Sequence, residues 1–370
     1  MMRFTRTAVA VAGAALVVVP ATSASAGGGH GGHGEEDDTV TVVAGGLDGP
    51  RQVGDYWRDR VVVAESDSGE VSSVDLDDGE VEVLLDGLYS PQGVDADDGL
   101  LFVAVGEAGP PEPGAPPVPP GAATSALLVA EPGGEVLHTI DLLAYEMAHN
   151  PDGQTQLVDG QPVDALSNPF AVLAQHKRVL VADAGANAVL SVDRRTGEVS
   201  TFFVPPVIDD VPACEGRENN GPAGCDSVPT GVVEGPDGLV YVSTLGSEAP
   251  GAGRVYVLTP RGHLVRTITD LTAPTGIAVD RRGTVYVSNV LEGAPEGEPG
   301  EGFDPSTVGE VTRIDCDGSR STSQVTMPTG LLVEDGDLYA SAWSVAGFVG
   351  MAGRGEVVRI GEDTFTPVTG

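Results

Sequence analysis

The chain has 370 residues, 41% of them hydrophobic, with 52 Gly and 28 Pro but only 5% aromatics. That length can bury a large core, and the glycine and proline content suits many short strands joined by tight turns and argues against a helical bundle. The 55 Asp and Glu against 19 Lys and Arg leave a net charge of −36, which disfavours nucleic acid and anionic lipid as partners.

At the N-terminus, Arg3 and Arg6 precede an apolar run over 8–19, and Ala24-Ser25-Ala26 is a small-residue cleavage site. Residues 1–26 therefore read as a secretory signal, and the mature chain is expected outside the cell. No later segment is apolar over a length that would span a membrane. Residues 27–38, GGGHGGHGEEDD, read as a disordered leader. Its glycines preorganise nothing, so a tether suits it better than a loose metal site on His30 and His33.

From Thr39 onward a repeat takes over. Each copy opens with a proline followed two or three residues later by an aliphatic: GPRQV at Pro50, SPQGV at Pro91, NPFAV at Pro169, VPTGV at Pro229, APTGI at Pro274 and MPTGL at Pro328. Ten or eleven residues after each proline comes a second strand, VVVA, LFVA, VLVA, VYVS, VYVS and LYAS in turn. Two more strands follow. The stretch 167–203 is the clearest copy, with turns at Gly185-Ala186-Asn187 and Arg195-Thr196-Gly197. Six such copies predict an all-β fold over 39–370, a six-bladed β-propeller of four-stranded antiparallel blades. Ring closure is left open, because 39–47 and 364–368 both look like the outer strand of the last blade.

The spacings between the prolines, 41, 78, 60, 45 and 54 residues, locate insertions. Residues 107–124 form a Pro-rich loop. Residues 141–153 hold a helix, the one short helical insertion, with Asp141 as its cap and Leu142, Tyr145 and Met147 as its apolar face. The 205–228 insertion carries Cys214 and Cys225, 11 residues apart, a spacing compatible with a disulfide in an oxidising compartment. Cys316 is left over and reads as a partly buried free thiol. The insertion at 292–307 is acidic and glycine-rich.

In such a ring the residues leading into strand one and leaving strand two share one end. The first set is Arg51, Gln92, Phe170, Thr230, Thr275 and Thr329; Tyr145, His149 and Asn168 join it from the helical insertion and the turn before blade three. This end is the expected ligand face. Among the second set, Glu65, Asp183 and Asn289 come from blades one, three and five. Three oxygen ligands converging on the axis would suit Ca2+ or another divalent cation; acids and Asn at strand ends also serve simply as turn caps. His138, His149, His176 and His263 are scattered, and no GxSxG, HExxH or phosphate-loop motif stands in a supporting context.

DLLAYEMAHNPDG followed by LSNPFAV, then VLVADAGANAVLSVD, SVPTGVVEGPDGLVYVSTL and GAGRVYVL, resemble the ScyD/ScyE family of secreted bacterial propeller proteins over roughly 42–358. The Pro-rich loop and the cysteine loop match that family poorly, and GSEAPGA stands where the family carries an aromatic-rich stretch. Wider relatives of that family include NHL-repeat interaction proteins, gluconolactonase-like hydrolases with one metal ion at the mouth, and streptogramin-lyase-like propellers. The resemblance implies no established activity. The sequence thus supports two functions. One is a secreted, monomeric binding or scaffolding propeller for a protein, glycan or small-molecule ligand. The other is a metal-dependent hydrolase or lyase with its site at the channel mouth.

Overall fold

A computed structural model describes residues 39–108, 118–295 and 302–368. The expected signal and leader, the middle of the Pro-rich loop and part of the acidic insertion lie outside the described residues. No helix among the described residues is long and apolar enough to cross a membrane.

The chain folds as a six-bladed β-propeller of four-stranded antiparallel blades. Blade three shows the plan: Pro169–Gln175, Arg178–Asp183, Ala188–Asp193 and Val199–Phe203 pair in sequence order. Along each blade the inner three strands carry the buried aliphatics, and the outer strand is mostly exposed, as in Val81–Leu85 and Val136–Asp141. No blade can cover both of its faces alone. Six apolar clusters therefore form where neighbouring blades meet. Between blades two and three, for example, Phe102 and Leu127 pack with Val179, Val181 and Leu190. Each fully buried Val or Leu in these seams contributes about 1.5–3 kcal/mol relative to an exposed one.

Ring closure is resolved by register. Val40–Leu47 pairs with Gly355–Ile360 as the outer strand of blade six, from Val40 opposite Ile360 to Leu47 opposite Gly355. The C-terminal candidate goes elsewhere: Thr366–Pro367 adds a fifth strand to blade five, against Ser321 and Thr322. The difference is burial. Ala44 and Leu47 enter a blade-six core with Val357, whereas Thr366 and Pro367 are exposed.

The Pro-Thr-Gly repeats fasten blade to blade around the axis. The hydroxyl of Thr230 donates to the Pro274 carbonyl at 2.8 Å, Thr275 to Pro328 at 3.1 Å, and Thr329 to Pro50 at 3.2 Å. One strand further out, Ser243, Ser288 and Ser341 donate to the carbonyls of Thr275, Thr329 and Arg51. Ser288 and Ser341 also accept the Gly276 and Gly330 N–H groups. The glycines are needed for approach: a Cβ on Gly276 would lie 2.0 Å from the Thr329 oxygen, and one on Gly330 would lie 2.3 Å from the Arg51 oxygen. On the other side of the ring, the Gln52 amide spans from blade one to blade three. It donates to the Val172 carbonyl at 2.7 Å and accepts the Val172 N–H at 2.9 Å.

The helix runs over Leu142–His149. Asp141 caps it by accepting the Ala144 N–H at 2.8 Å, and Asn150 ends it in the left-handed conformation. Its buried residues are Leu142 and Glu146, one turn apart, where the sequence led us to expect Leu142, Tyr145 and Met147; Met147 is exposed. Cys214 and Cys225 are bonded, with Cα atoms 5.2 Å apart, and Ile208 bridges to Cys225 in a small apolar cluster of its own. Cys316 is exposed, not partly buried, because its turn lies at the surface.

Candidate ligand pocket at the insertion-decorated end

The registers bring the expected face together. Pro50 lies opposite Glu65, Pro169 opposite Asp183, and Pro274 opposite Asn289. The residues after each proline and at the end of each second strand therefore do share one end of the ring. Their side chains are largely taken up by the scaffold. Thr230, Thr275 and Thr329 are buried in the blade-to-blade bonds described above. Arg51 is buried too. It donates to the Ser344 carbonyl, lies 3.8 Å from the Asp67 carboxylate, and stacks against Phe348, with burial lowering its pKa. Gln92 is half-buried and bonds the hydroxyls of Ser66 and Ser90. Phe170 lines a narrow space at the axis beside Gln52.

Glu65, Asp183 and Asn289 sit at equivalent positions, each held within its own blade. Glu65 accepts the Asp48 N–H and the Ser72 hydroxyl, and burial raises its pKa. Asp183 accepts the Ser167 hydroxyl and the Asn168 N–H, both at 2.7 Å, and the Ala186 N–H at 3.1 Å; burial lifts it to about 6. Asn289 donates to Thr312 at 2.7 Å, and its Oδ1 is buried without a partner. Donors already point at all four carboxylate oxygens of the trio. Among the described residues, the Asn289 oxygen has no donor.

Tyr145 and His149 do not reach the axis. Their rings stack with centroids 4.2 Å apart, and the Tyr145 hydroxyl bonds Thr201 on the outer strand of blade three. The next residue round that helix, Glu146, lines a cavity of about 210 Å3. The 141–168 insertion, the VADAGAN turn of blade three and the disulfide-bearing insertion enclose it. The two insertions are tied together: the Gln154 side chain donates to Asp226, and the Thr155 N–H to the Asn220 carbonyl. Asn219 also donates to Asp226. The blade joins in through Asn187, whose amide donates to Asp152 at 3.1 Å. Asn168 lines the cavity as well, with its oxygen accepting the Glu107 N–H at 3.3 Å.

The electrostatics of this cavity are one-sided. Glu146, Asp152, Asp164 and Asp226 line it, and no Lys, Arg or His does among the described residues. Glu146 is 3% exposed. Its Oε1 accepts the Gln156 amide at 2.9 Å, while Oε2 is buried without a partner, as is Oδ1 of Asn187. Burial, with Asp152 and Asp183 nearby, pushes the Glu146 pKa up to about 7. Burial also raises Glu107, close to Asp164 and Asp183. Buried polar atoms normally find partners, so two unpartnered acceptor oxygens on residues that line one cavity mark a place where a donor is missing. Sequence reasoning found the end of the ring and missed this cavity. The available signal was the i, i+4 spacing of Leu142 and Glu146, which puts the glutamate on the buried face.

Fold and site together place the chain in the class of six-bladed propellers with insertions gathered at one end. No protein-family model matches the chain, and no curated protein does. Among solved structures it is similar to a gluconolactonase from Xanthomonas campestris, at 12% identity over 86% of this chain and 88% of that one, with a TM-score of 0.52. It is also similar to a protein of unknown function from Bacteroides thetaiotaomicron, at 13% identity over 87% and 72% of the two chains, with a TM-score of 0.50. At these identities the likeness shows the shared propeller fold.

Proposed function

We propose that the protein is a secreted binding propeller that holds its ligand at the insertion-decorated end, in the cavity between the helical and disulfide-bearing insertions. The helical insertion and the VADAG turn, which carry the ScyD/ScyE resemblance, also wall the cavity. The observation that carries it is Glu146, a residue lining that cavity that is buried and has one carboxylate oxygen without a partner. The test is a screen of glycans, peptides and metabolites by ligand-observed NMR, run on the wild type and on Ala165→Trp, which fills the cavity from its rim. Hits lost in A165W support the reading. Hits that all survive it refute the assignment to this cavity.

The hydrolase or lyase reading needs a cation on Glu65, Asp183 and Asn289. Its one supporting observation is the free Asn289 oxygen. Lactone turnover that depends on added Ca2+ and is lost in Asn289→Ala would favour it over the binding reading.

A further inference from the structure

We infer that the ligand of this cavity is a small organic cation carrying at least two separated N–H donors, such as a diamine, a guanidine or the basic side chain of a peptide. The inference rests on the binding reading above and adds the chemistry of the ligand.

Three observations lead there. First, the unsatisfied groups are all acceptors. Among the described residues, Glu146 Oε2 and Asn187 Oδ1 are buried oxygens without a donor, and the exposed Asp164 carboxylate accepts just the adjacent Ala165 N–H. A ligand that brought acceptors would add to the mismatch; one that brings N–H donors removes it. Second, the charge is of one sign. The lining carboxylates have no lining cation among the described residues; Arg217 stands in the adjoining space, which shares Asp164 and Asp226 with the cavity, and leaves Glu146 and Asp152 without a basic neighbour in either lining. In a partly desolvated pocket a positive ligand gains more from each carboxylate than it would in water. A cation would also hold Glu146 in its charged form, reversing the effect of burial on that carboxyl.

Third, size and dispersion argue against a bare metal ion. Calcium draws six to eight oxygens to within about 2.3–2.6 Å of one point. Among the described residues no three His, Cys, Asp or Glu side chains gather closely enough to hold an ion. The acids are distributed around a cavity of about 210 Å3. That is larger than the roughly 150 Å3 that takes a benzene molecule. A molecule of six to ten heavy atoms with donors at both ends matches separated acceptors; a point charge does not.

The test is calorimetric titration of the folded protein with agmatine, cadaverine, sorbitol and CaCl2, in low and high salt. The variants are Glu146→Gln, Asp164→Asn and A165W, each checked by circular dichroism for an unchanged fold. The expected result is that agmatine or cadaverine binds at least tenfold tighter than sorbitol and weakens as salt is raised. Binding falls about 10- to 100-fold in E146Q, less in D164N, and is lost in A165W. If sorbitol binds as well as the amines, or Ca2+ binds and loses affinity in E146Q while the amines do not bind, the organic-cation inference is overturned. A sorbitol signal abolished by A165W would leave the binding reading standing without it. No A165W-sensitive binding of any probe would overturn the inference, and a screen without A165W-sensitive hits would remove the binding reading as well.

Discussion

Replacing Ser341 with alanine tests how the ring is fastened where its two ends meet. The Ser341 hydroxyl accepts the Gly330 N–H at 2.7 Å and donates to the Arg51 carbonyl at 2.8 Å, joining blade six to blade one. Ser341 is fully buried. Alanine leaves an amide and a carbonyl without partners in a place where a Cβ on Gly330 would already lie 2.3 Å from the Arg51 oxygen. There is thus little room for a compensating water. A buried polar group left unsatisfied costs about 1–3 kcal/mol, so two give about 2–4 kcal/mol after partial relaxation. Whole domains hold only about 5–15 kcal/mol, so the effect is large. Urea unfolding followed by the fluorescence of the buried Trp343, close by in blade six, measures it. Ser200→Ala, an exposed outer-strand hydroxyl, is the control and is expected to change stability by less than about 0.5 kcal/mol. An S341A midpoint indistinguishable from that of S200A would refute the idea that these serines hold the ring closed.

Other outcomes follow from the same structure. Deleting residues 39–47 removes the outer strand of blade six and is expected to abolish cooperative unfolding, whereas deleting from Thr366 onward strips an exposed fifth strand and costs at most about 1 kcal/mol; thermal melts compare them. Glu146 has its folded pKa raised to about 7, so its burial penalty is absent below the unfolded carboxyl range near 4.5, accumulates as pH rises to about 7, and is constant above. E146Q is therefore expected to melt higher than wild type at pH 8 and equally at pH 4.5, and a gap that widens toward acid would contradict the assignment. Reducing the Cys214–Cys225 bond should free roughly 2–3 kcal/mol of loop entropy and raise hydrogen exchange across 205–228, weakening whatever the cavity binds, while exchange in blade one stays unchanged.

The repeat was legible because each proline fixes where a strand begins and each Val-Tyr-Val-Ser or its equivalent fixes the next. The choice of closing strand was not. Both 39–47 and 364–368 alternate suitably, and only packing of Ala44 and Leu47 against Val357 separates them. At the site, the reading that ligand-facing residues follow each proline met a different use of those residues. The threonines of Pro-Thr-Gly bond the next blade, a partner no local pattern announces. The helix was placed correctly but its buried face was misread, because apolar periodicity assumes that buried means apolar, and Glu146 is buried for its carboxylate. The cavity walls lie at 146, 152–168, 184–187, 220–228 and 247, segments with no shared motif that meet only when two insertions bond each other.

That the strand closing the ring comes from the front of the chain has a bearing on how the molecule assembles. Val40 pairs with Ile360, so a strand made early cannot be placed until residues 355–360 have been made. Contacts between such distant segments form slowly, and until they do the first and last blades expose unpaired edges. Blade six therefore cannot be completed until the C-terminal portion has been made. Chains stopped before residue 355 should accordingly remain protease-sensitive throughout, and a resistant five-bladed core in such chains would contradict this order of events.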